Sequence, residues 1–287
     1  MLTRMDNVIL SPIVFSDLLA KATSYHFNVR PITLRDQRCL VDASLSWLSD
    51  LLKGSRKPLE SHLRCNMIVK TWDGFLFMVR ARTPDLYTVA VAERYELEKW
   101  FKPLAKGVVV DVGAYIGTYS IRAMYSADLV VAIEPLPLNF KALYVNLELN
   151  KHRRNAKVIL INKAIAEERR RAKIFLPLIA KEVGVSVASL RYDSLIRKPN
   201  YISYEVEADT LDNIMHELNI KEIDYLKIDI EGYVMKAFPG MLDTLKRIHW
   251  LQIELLDEDK SALYLLKRIG FRLRAQHGNN YLFEYVR

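Results

Sequence analysis

Hydrophobic residues in the second half of the chain occur in short runs that alternate with helix-length segments. From Gly107 onward, the runs VVVDVG, LVVAIEP and KVILIN show no polar alternation, and amphipathic segments separate them. Strands that are apolar on both faces are typical of a parallel sheet that helices cover on both sides. The pattern therefore predicts a doubly wound α/β domain over residues 106–287.

The alternation is interrupted over residues 171–207, where we expect a less regular, β-rich stretch with a loop. It then resumes with a helix in TLDNIMHELNI, a strand in DYLKIDIEG, a helix through GMLDTLKR and a strand in WLQIELLD. After one more helix, two β-rich runs meet around Gly278-Asn279. We expect this closing hairpin to add one antiparallel strand to a mostly parallel sheet.

The first 105 residues follow a different pattern, and we predict an accessory region of helices and a β-hairpin. SPIVFSDLLAKA has Ser11 as N-cap, and RCLVDASLSWLSDLLK reads as a helix that stops at Gly54. Two β-rich runs flank Asp73-Gly74, which is a strong hairpin signal. A further helix is predicted to end near Pro103.

Composition adds limits on the class of protein. The 287 residues are 51% hydrophobic and 26% charged, which is ordinary for a globular chain. Because the sequence has no uncharged apolar run of about 18 residues, we expect no membrane span, and the first residues make a poor signal peptide. Cys39 and Cys65 match no metal or redox spacing, so we expect two thiols in a reducing compartment and a cytoplasmic protein.

Positive charge is concentrated in one segment of the chain. The net charge is +8, and residues 151–173 hold nine Lys or Arg against two Glu, which gives this segment 9 − 2 = +7. Such a run is typical of a solvated surface. It also suits an anionic partner such as nucleic acid, and the sequence leaves both interpretations open.

Three predicted strands end in a carboxylate, namely Asp111, Glu134 and Asp229. In doubly wound sheets the ligand crevice lies beyond the carboxyl ends of the strands, so these acids should meet at one edge. Gly113 and Gly117 would allow close backbone approach there, and Glu134 is placed to accept both ribose hydroxyls of a nucleoside. Glycines that serve only the turn and its packing are the alternative.

The spacing of the turn narrows the choice of nucleotide. Because position 115 is Tyr, the turn is not Gly-x-Gly-x-x-Gly, and no Gly-Lys-Ser/Thr is present for an NTPase loop. Asp111 would also repel a pyrophosphate. S-adenosylmethionine fits better, with its amino-acid head at the glycine turn and its ribose on Glu134.

Four segments together resemble the FkbM family of S-adenosylmethionine-dependent methyltransferases: VVVDVGAYIGTYSI, VVAIEPLPLNFKALYVNLELN, INKAIAEE and TLDNIMHELNIKEIDYLKIDIEG. The resemblance runs from about residue 66 to about 255. It implies a Rossmann-like class I methyltransferase fold and O-methylation of a small molecule, sugar or glycan. It implies cofactor contacts from Asp111, Gly113, Ala114, Tyr115 and Gly117 at the methionine end, from Glu134 and Pro135 at the ribose, from Asn162 and Ala164 at the adenine, and from Asp229 near the methyl group.

Two positions depart from the pattern of that family. The family usually has Asn where this chain has Tyr115, so contacts to the methionine carboxylate should differ. It often has a second acid where this chain has Val234, and we therefore expect no metal. A hydroxyl acceptor needs a base, and we predict Asp229 or Glu231 for this role and Glu254 as an acceptor ligand.

Purely structural interpretations of the candidate residues remain open beside the catalytic ones. Glu231 could be satisfied by N–H groups at a helix N-terminus, and Glu254 could simply cap a buried strand. His216 and His249 are interpreted as surface residues. Tyr192, Tyr201 and Tyr204 either pack or line an acceptor site.

Three functions follow in order of preference. The first is methyl transfer to a small-molecule or saccharide acceptor. The second is an RNA methyltransferase that uses the basic 151–173 segment, although the chain lacks the Asn/Asp-Pro-Pro-aromatic turn typical of enzymes that methylate amino groups. The third is a non-catalytic binding module with a methyltransferase-like fold.

Overall fold

The chain forms two compact units, Met1–Ala92 and Glu93–Arg287. The computed structural model describes residues 19–20, 23–55, 57–92, 106–179, 182–183, 190 and 201–286. The helix predicted from Ser11, the end of the helix predicted near Pro103, the predicted boundary at 105 and the loop with Tyr192 lie outside the described residues. Among the described helices, none combines the length and apolar character that a membrane crossing requires.

The first unit pairs one long helix with a three-stranded antiparallel sheet. The helix begins after Thr33, whose Oγ1 accepts from Asp36 N–H at 3.1 Å while the Asp36 carboxylate accepts from Thr33 N–H at 3.3 Å. This capping box was not predicted. The hairpin at Asp73-Gly74 is confirmed. The elements are β1 Val29–Pro31, α1 Leu34–Leu52, β2 Met67–Thr71, β3 Leu76–Val79 and α2 Asp85–Tyr87.

Cys39 on α1 and Cys65 form a disulfide, so the prediction of two thiols is wrong. The two residues are 26 positions apart in sequence, and only the fold brings their Cα atoms to 6.2 Å. A pair at this separation carries no local signal. Disulfides are typical of oxidising environments, so the cysteines give no support for a reducing compartment, and the cytoplasmic location stays a prediction.

A seven-stranded sheet forms the centre of the second unit. Its strands are β4 Val108–Val112, β5 Leu129–Ile133, β6 Lys157–Ile161, β11 Ile223–Ile228, β12 Ile248–Glu254, β13 Phe271–His277 and β14 Asn280–Tyr285. Their order is β13-β14-β12-β11-β4-β5-β6, with the first five in chain order parallel and β14 antiparallel to β12 and β13. Val110, Val131 and Leu226 have no exposed surface. The predicted mostly parallel α/β sheet with a closing hairpin is confirmed.

Helices connect these strands, as the alternation predicts. The helix predicted through GMLDTLKR is present but shorter than expected: it covers Leu242–Leu245, and a 3-10 turn at Phe238–Met241 separates it from another short helix, Val234–Ala237. Pro239 in this turn has no N–H to continue an α-helix. The helices are α3 Thr118–Ser126, α4 Pro137–Leu149, α5 Leu211–Glu217, α6 Val234–Ala237, α7 Leu242–Leu245 and α8 Ala262–Arg268.

The irregular stretch contains a second sheet with the strand order β7-β10-β8-β9. Its strands are β7 Ala164–Ile165, β8 Arg170–Ile179, β9 Glu182–Val183 and β10 Tyr201–Asp209. Ala172, Ile174 and Leu176 are buried on one face of β8, whereas Arg171 and Lys173 are exposed on the other. This alternation covers the core with one face and leaves charged residues on the other.

Candidate active site

Three carboxylates meet at the carboxyl edge of the central sheet. Asp229 and Glu231 follow β11, and Glu254 ends the neighbouring strand β12. One carboxylate oxygen of each lies within 4.8 Å of the others. The structure thus brings together the three residues that the sequence predicts for catalysis, and we call Asp229, Glu231 and Glu254 the acid cluster. Such clusters are common without an ion, and we assign no metal to it.

Gly113 explains how two strand ends come so close. Its φ is 82°, and a Cβ built on it would lie 1.8 Å from the carbonyl oxygen of Asp229. Asp229 N–H in turn donates to the Val112 carbonyl at 2.9 Å. Any other residue at 113 would push the end of β11 away from β4, so contacts within the chain account for this glycine.

The rest of the glycine turn is also held by contacts within the chain. Gly113 N–H and Ala114 N–H both donate to the Ile133 carbonyl, at 2.9 and 3.0 Å. Gly117 has a φ of 91°, and a Cβ there would lie 2.6 Å from Leu143 Cδ1 on α4. Turn geometry and packing explain these residues, and their contact with a cofactor remains a prediction.

Glu134 ties the turns after β4 and β5 together. Its Oε2 accepts from Tyr115 N–H at 2.9 Å, and its Oε1 accepts from Leu136 N–H at 2.9 Å and from Asn139 Nδ2 at 3.3 Å. Tyr115 has a φ of 53°, a left-handed conformation that is strained for an aromatic residue. The Glu134 carboxylate therefore stabilises the backbone at the position where the chain departs from the FkbM pattern that it resembles.

Asn162 joins the end of β6 to the same edge. Its Nδ2 donates to the Glu134 carbonyl at 2.7 Å and to the Pro135 carbonyl at 2.9 Å. The structure thus groups three residues that the resemblance assigns to the ribose and adenine. Ala164 is buried in β7, where it pairs with Ala208 of β10.

Lys227 is a central residue of this edge that the sequence reasoning missed. Its Nζ lies 3.2 Å from Asp229 Oδ2 and 3.9 Å from Asp111 Oδ1. Asp111 is fully buried, and its Oδ2 accepts from Ser120 Oγ at 2.6 Å. Its contact with the methionine end of a cofactor therefore stays a prediction. A signal for Lys227 existed, since a lysine in an apolar strand is rarely buried without a charged partner.

The acid cluster retains protons at neutral pH. Burial is the main cause that raises the pKa of Glu231 to about 8, and the negative charge of Asp229 raises it further. For Glu254 the charge of Asp229 comes first and burial second, and together they raise its pKa to about 10. The ammonium of Lys227 lowers the pKa of both glutamates. Both carboxyls therefore hold a proton at pH 7.

The turn after the acid cluster is anchored from outside the central sheet. Glu231 has a φ of 50°, in the left-handed region that favours glycine. Two residues later, Tyr233 Oη donates to Glu167 Oε2 at 2.9 Å and accepts from Arg170 Nη2 at 2.9 Å. These contacts join residues more than sixty positions apart, and no local sequence pattern indicates them.

Much of the charge in the basic 151–173 segment is balanced by acids within the chain. In the register of β8 and β10, Arg171 lies opposite Glu207 and Lys173 opposite Glu205. This finding favours a solvated, internally paired surface over one that binds phosphates. Ion pairs join Lys151 to Glu148 (3.4 Å), Lys163 to Asp209 (2.9 Å), Arg169 to Asp209 (3.0 Å) and Glu217 (2.9 Å), and Arg170 to Glu167 (3.0 Å).

The remaining candidate residues lie on other elements or at the opposite end of β12. His216 is exposed on α5, and His249 is exposed at the start of β12, beside Asp224. Their interpretation as surface residues is confirmed. Tyr201 packs edge-to-face on Phe175 at a centroid distance of 5.6 Å, and Tyr204 packs against the core.

The mostly parallel seven-stranded sheet, with acids at the carboxyl ends of β4, β5, β11 and β12, is the architecture of class I methyltransferases. Residues 111–273, more than half of the chain, match the family model described as the methyltransferase FkbM domain, and the chain belongs to this family. The resemblance drawn from the sequence is therefore confirmed, and the chain is a methyltransferase by family.

Individual relatives are distant. The chain is similar to Methyltransferase 1 of Beauveria bassiana (strain ARSEF 2860), with 26% identity over 188 residues that cover 58% of this chain and 73% of the relative. It is also similar to the crystal structure of methyltransferase FkbM from Methylobacillus flagellatus KT, with 18% identity and a TM-score of 0.45. The match covers 67% of this chain and 48% of that one, so the chain spans about half the length of that protein. For the tRNA m1G37 methyltransferase of M. jannaschii the identity is 15% and the TM-score 0.41, with 78% and 58% covered.

Proposed function

We propose that this protein uses S-adenosylmethionine to methylate a hydroxyl group of a small molecule, sugar or glycan. The observation that carries the proposal is the acid cluster, which lies at the carboxyl edge of the sheet beside the glycine turn after β4. A methyl transfer to oxygen needs a base beside the acceptor, and this edge supplies carboxylates for that role.

The residues at this edge fit the cofactor by their chemistry. The turn of Gly113, Ala114, Tyr115 and Gly117 would carry its amino-acid end. Glu134 would accept the ribose hydroxyls, since each carboxylate oxygen has two lone pairs. Pro135 would lie at the ribose beside Glu134, and Asn162 and Ala164 would flank the adenine. Asp111 would place negative charge near the methionine end of the cofactor. Asp229 would place it near the sulfonium that carries the methyl group.

In the proposed reaction the cofactor supplies an electrophilic methyl group. The chain's own residues align the acceptor, exclude water and take up one proton. The acceptor oxygen forms a bond to the methyl carbon as the bond from carbon to sulfur breaks, and the hydroxyl proton passes to a carboxylate. Asp229 is the proposed base. Glu254, whose pKa is raised to about 10, would donate a hydrogen bond to the acceptor.

RNA methylation is the weaker alternative. The pairing of Lys163, Arg169 and Arg170 with acids removes much of the observation that motivated it. Methyl incorporation into purified tRNA, but not into hydroxylated small molecules or saccharides, would reverse this ranking.

Calorimetry tests the cofactor first. Wild-type protein should bind S-adenosylmethionine and S-adenosylhomocysteine at micromolar concentration. Glu134→Ala should weaken binding by about 1–3 kcal/mol, because hydrogen bonds to a charged group are lost. Glu134→Gln keeps one acceptor oxygen and should lose less, and Glu205→Ala on the exposed face of β10 should bind normally.

The outcomes separate the candidate functions. Folded wild-type protein that gives no heat with either compound would contradict methyl transfer from S-adenosylmethionine. Binding without transfer of labelled methyl to any hydroxylated compound or RNA would support the binding module instead. Unchanged affinity in a folded Glu134→Ala variant would remove Glu134 from the ribose role.

A further inference from the structure

A lysine lies inside the central sheet at the edge that carries the acid cluster. Lys227 is on β11, and its register partners are Asp111 on β4 and Gln252 on β12. Its side chain is 8% exposed. Burying an ammonium group is unfavourable unless charged partners compensate it, so its surroundings determine what it can do.

Lys227 contacts one inner and one outer acid. The inner acid, Asp111, is fully buried and also accepts a hydrogen bond from Ser120. The outer acid, Asp229, is closer to the ammonium, at 3.2 Å against 3.9 Å, and its side chain is 35% exposed. The lysine thus connects a structural carboxylate in the core with a carboxylate at the open rim.

The ion pair between Lys163 and Asp209 in the same unit is an example of a purely structural ion pair, with which Lys227 and Asp229 can be compared. Lys163 pairs with Asp209 at 2.9 Å, and the Asp209 side chain has no exposed surface. Asp209 also accepts from Thr210 N–H and Asn213 Nδ2, so its oxygens are satisfied within the chain. Asp229 differs, since it is partly open to solvent and belongs to the acid cluster.

In the part of the chain that the structure describes, the acids at this edge outnumber the lysine that contacts them. Asp111, Asp229, Glu231 and Glu254 are four carboxyl groups, and Lys227 supplies one positive charge among them. Like charges at this spacing cannot all stay ionised, so some of the carboxyls retain protons. The contact of Lys227 Nζ with Asp229 Oδ2 at 3.2 Å favours the ionised form of Asp229, because a neighbouring positive charge stabilises a carboxylate.

We propose that Lys227 is a positioning residue that fixes the negative charge of the acid cluster on Asp229 and leaves the protons on Glu231 and Glu254. Asp229 is thereby ready to accept the acceptor's proton, and the two glutamates are ready to donate hydrogen bonds. The link to catalysis rests on the proposed function. The charge distribution itself does not, and it can be measured without cofactor or acceptor.

The experiment is an NMR titration of full-length protein labelled with [13Cδ]glutamate, in the absence of cofactor. Glu231→Gln and Glu254→Gln identify the two resonances. In wild-type protein Glu231 should titrate near its pKa of about 8 and Glu254 near about 10. Lys227→Met should move both midpoints upward by about 1 pH unit, because a neighbouring positive charge that favours ionised carboxylates is lost.

Matched variants separate this role from a structural one. Lys227→Arg keeps the charge and should keep both midpoints near the wild-type values. Lys163→Met removes one of the two cations that pair with Asp209, the other being Arg169, and should lower the melting temperature without moving either midpoint. A folded Lys227→Met variant with unmoved midpoints would overturn the proposal, as would an equal shift in Lys163→Met.

Asp229→Asn tests the proposal even if Lys227→Met does not fold. Its side chain is partly exposed and the substitution keeps its shape, so the variant should fold. The Glu254 midpoint should then fall toward its ordinary value, because the charge of Asp229 is the main cause of its elevation. An unchanged Glu254 midpoint would show that Asp229 is not the charged member. Failure of the wild-type protein to bind S-adenosylmethionine would contradict only the proposed function.

Discussion

Glu254 is the last residue of β12, and its surroundings disfavour the ionised form of its carboxyl group. The charge of Asp229 and burial together raise its pKa to about 10, against an ordinary value of 4.5. The folded protein therefore holds a proton over a pH range in which the unfolded chain has lost it. By linkage, this group stabilises the fold at low pH, and its contribution is lost as the pH rises from the unfolded pKa to the folded one.

Replacement of Glu254 by Gln should remove this pH dependence. Between about pH 5 and pH 9, the unfolding free energy of wild-type protein should fall relative to that of Glu254→Gln. The limit for one proton is about 1.4 kcal/mol per pH unit. Urea denaturation at several pH values measures the difference, and Glu205→Gln on the exposed face of β10 is the control. Parallel curves for wild type and Glu254→Gln would mean that Glu254 is ionised in the folded protein.

Tyr115 has a strained backbone conformation. Its backbone adopts a φ of 53°, which Asn tolerates better than Tyr, and its N–H is held by Glu134 at 2.9 Å. The strain is thus compensated by a charge-assisted hydrogen bond from the next strand end. The departure from the family pattern is accommodated by the turn's own contacts.

At the scale of elements, the carboxyl ends of β4 and β11 are joined through Gly113. Gly113→Ala would meet the Asp229 carbonyl, because its Cβ would lie only 1.8 Å from that oxygen, and it would also strain a φ of 82°. We expect a loss of about 2–4 kcal/mol in unfolding free energy, since neither backbone can move without breaking the strand pairing.

Gly278 provides a matched control for this prediction. It also has a positive φ, 57°, but nothing lies within 4 Å of a Cβ built there. Gly278→Ala should therefore lower the unfolding free energy only by the cost of a positive φ for alanine, about 1 kcal/mol. Chemical denaturation of both variants measures the two losses. Equal losses would show that the clash at Gly113 relaxes and that the strand ends are not held by close packing.

The order of elements in the central sheet could be predicted because each strand carries its signal locally. Val108–Val112 and Leu129–Ile133 are apolar on both faces, as a covered parallel strand requires. The helix after Tyr233 could not be predicted as two pieces from periodicity alone, because Pro239 interrupts hydrogen bonding without changing the apolar pattern.

The candidate site was predictable only in part, for a related reason. Acids that follow strands can be placed at one edge from the topology, so Asp229 and Glu254 could be grouped in advance. Contacts such as Tyr233 with Arg170 depend on where an insertion packs, and no local pattern encodes that. The ionisation of Glu231 and Glu254 depends on distances of a few ångströms, which a sequence does not give.

At the scale of the whole molecule, the two units differ in what stabilises them. The second unit has a continuous core that reaches from Val110 through Leu226 to Leu266. The first is much smaller, and its sheet has three short strands. Small units bury a lower fraction of their surface and depend more on cross-links. The disulfide between Cys39 and Cys65 connects α1 to the segment just before β2, where such a cross-link is most useful.

Reduction of the disulfide should therefore destabilise the first unit more than the second. For a loop of 26 residues the loss of the cross-link is worth about 3 kcal/mol, most of it as entropy gained by the unfolded chain. Under reducing conditions, amide hydrogen exchange should increase in α1, β2 and β3, while β4, β5 and β11 keep their protection. The Cys39→Ala/Cys65→Ala double variant should show the same pattern without reductant. Uniform loss of protection in both units would contradict this division, and unchanged exchange would mean that the α1 packing alone holds the first unit.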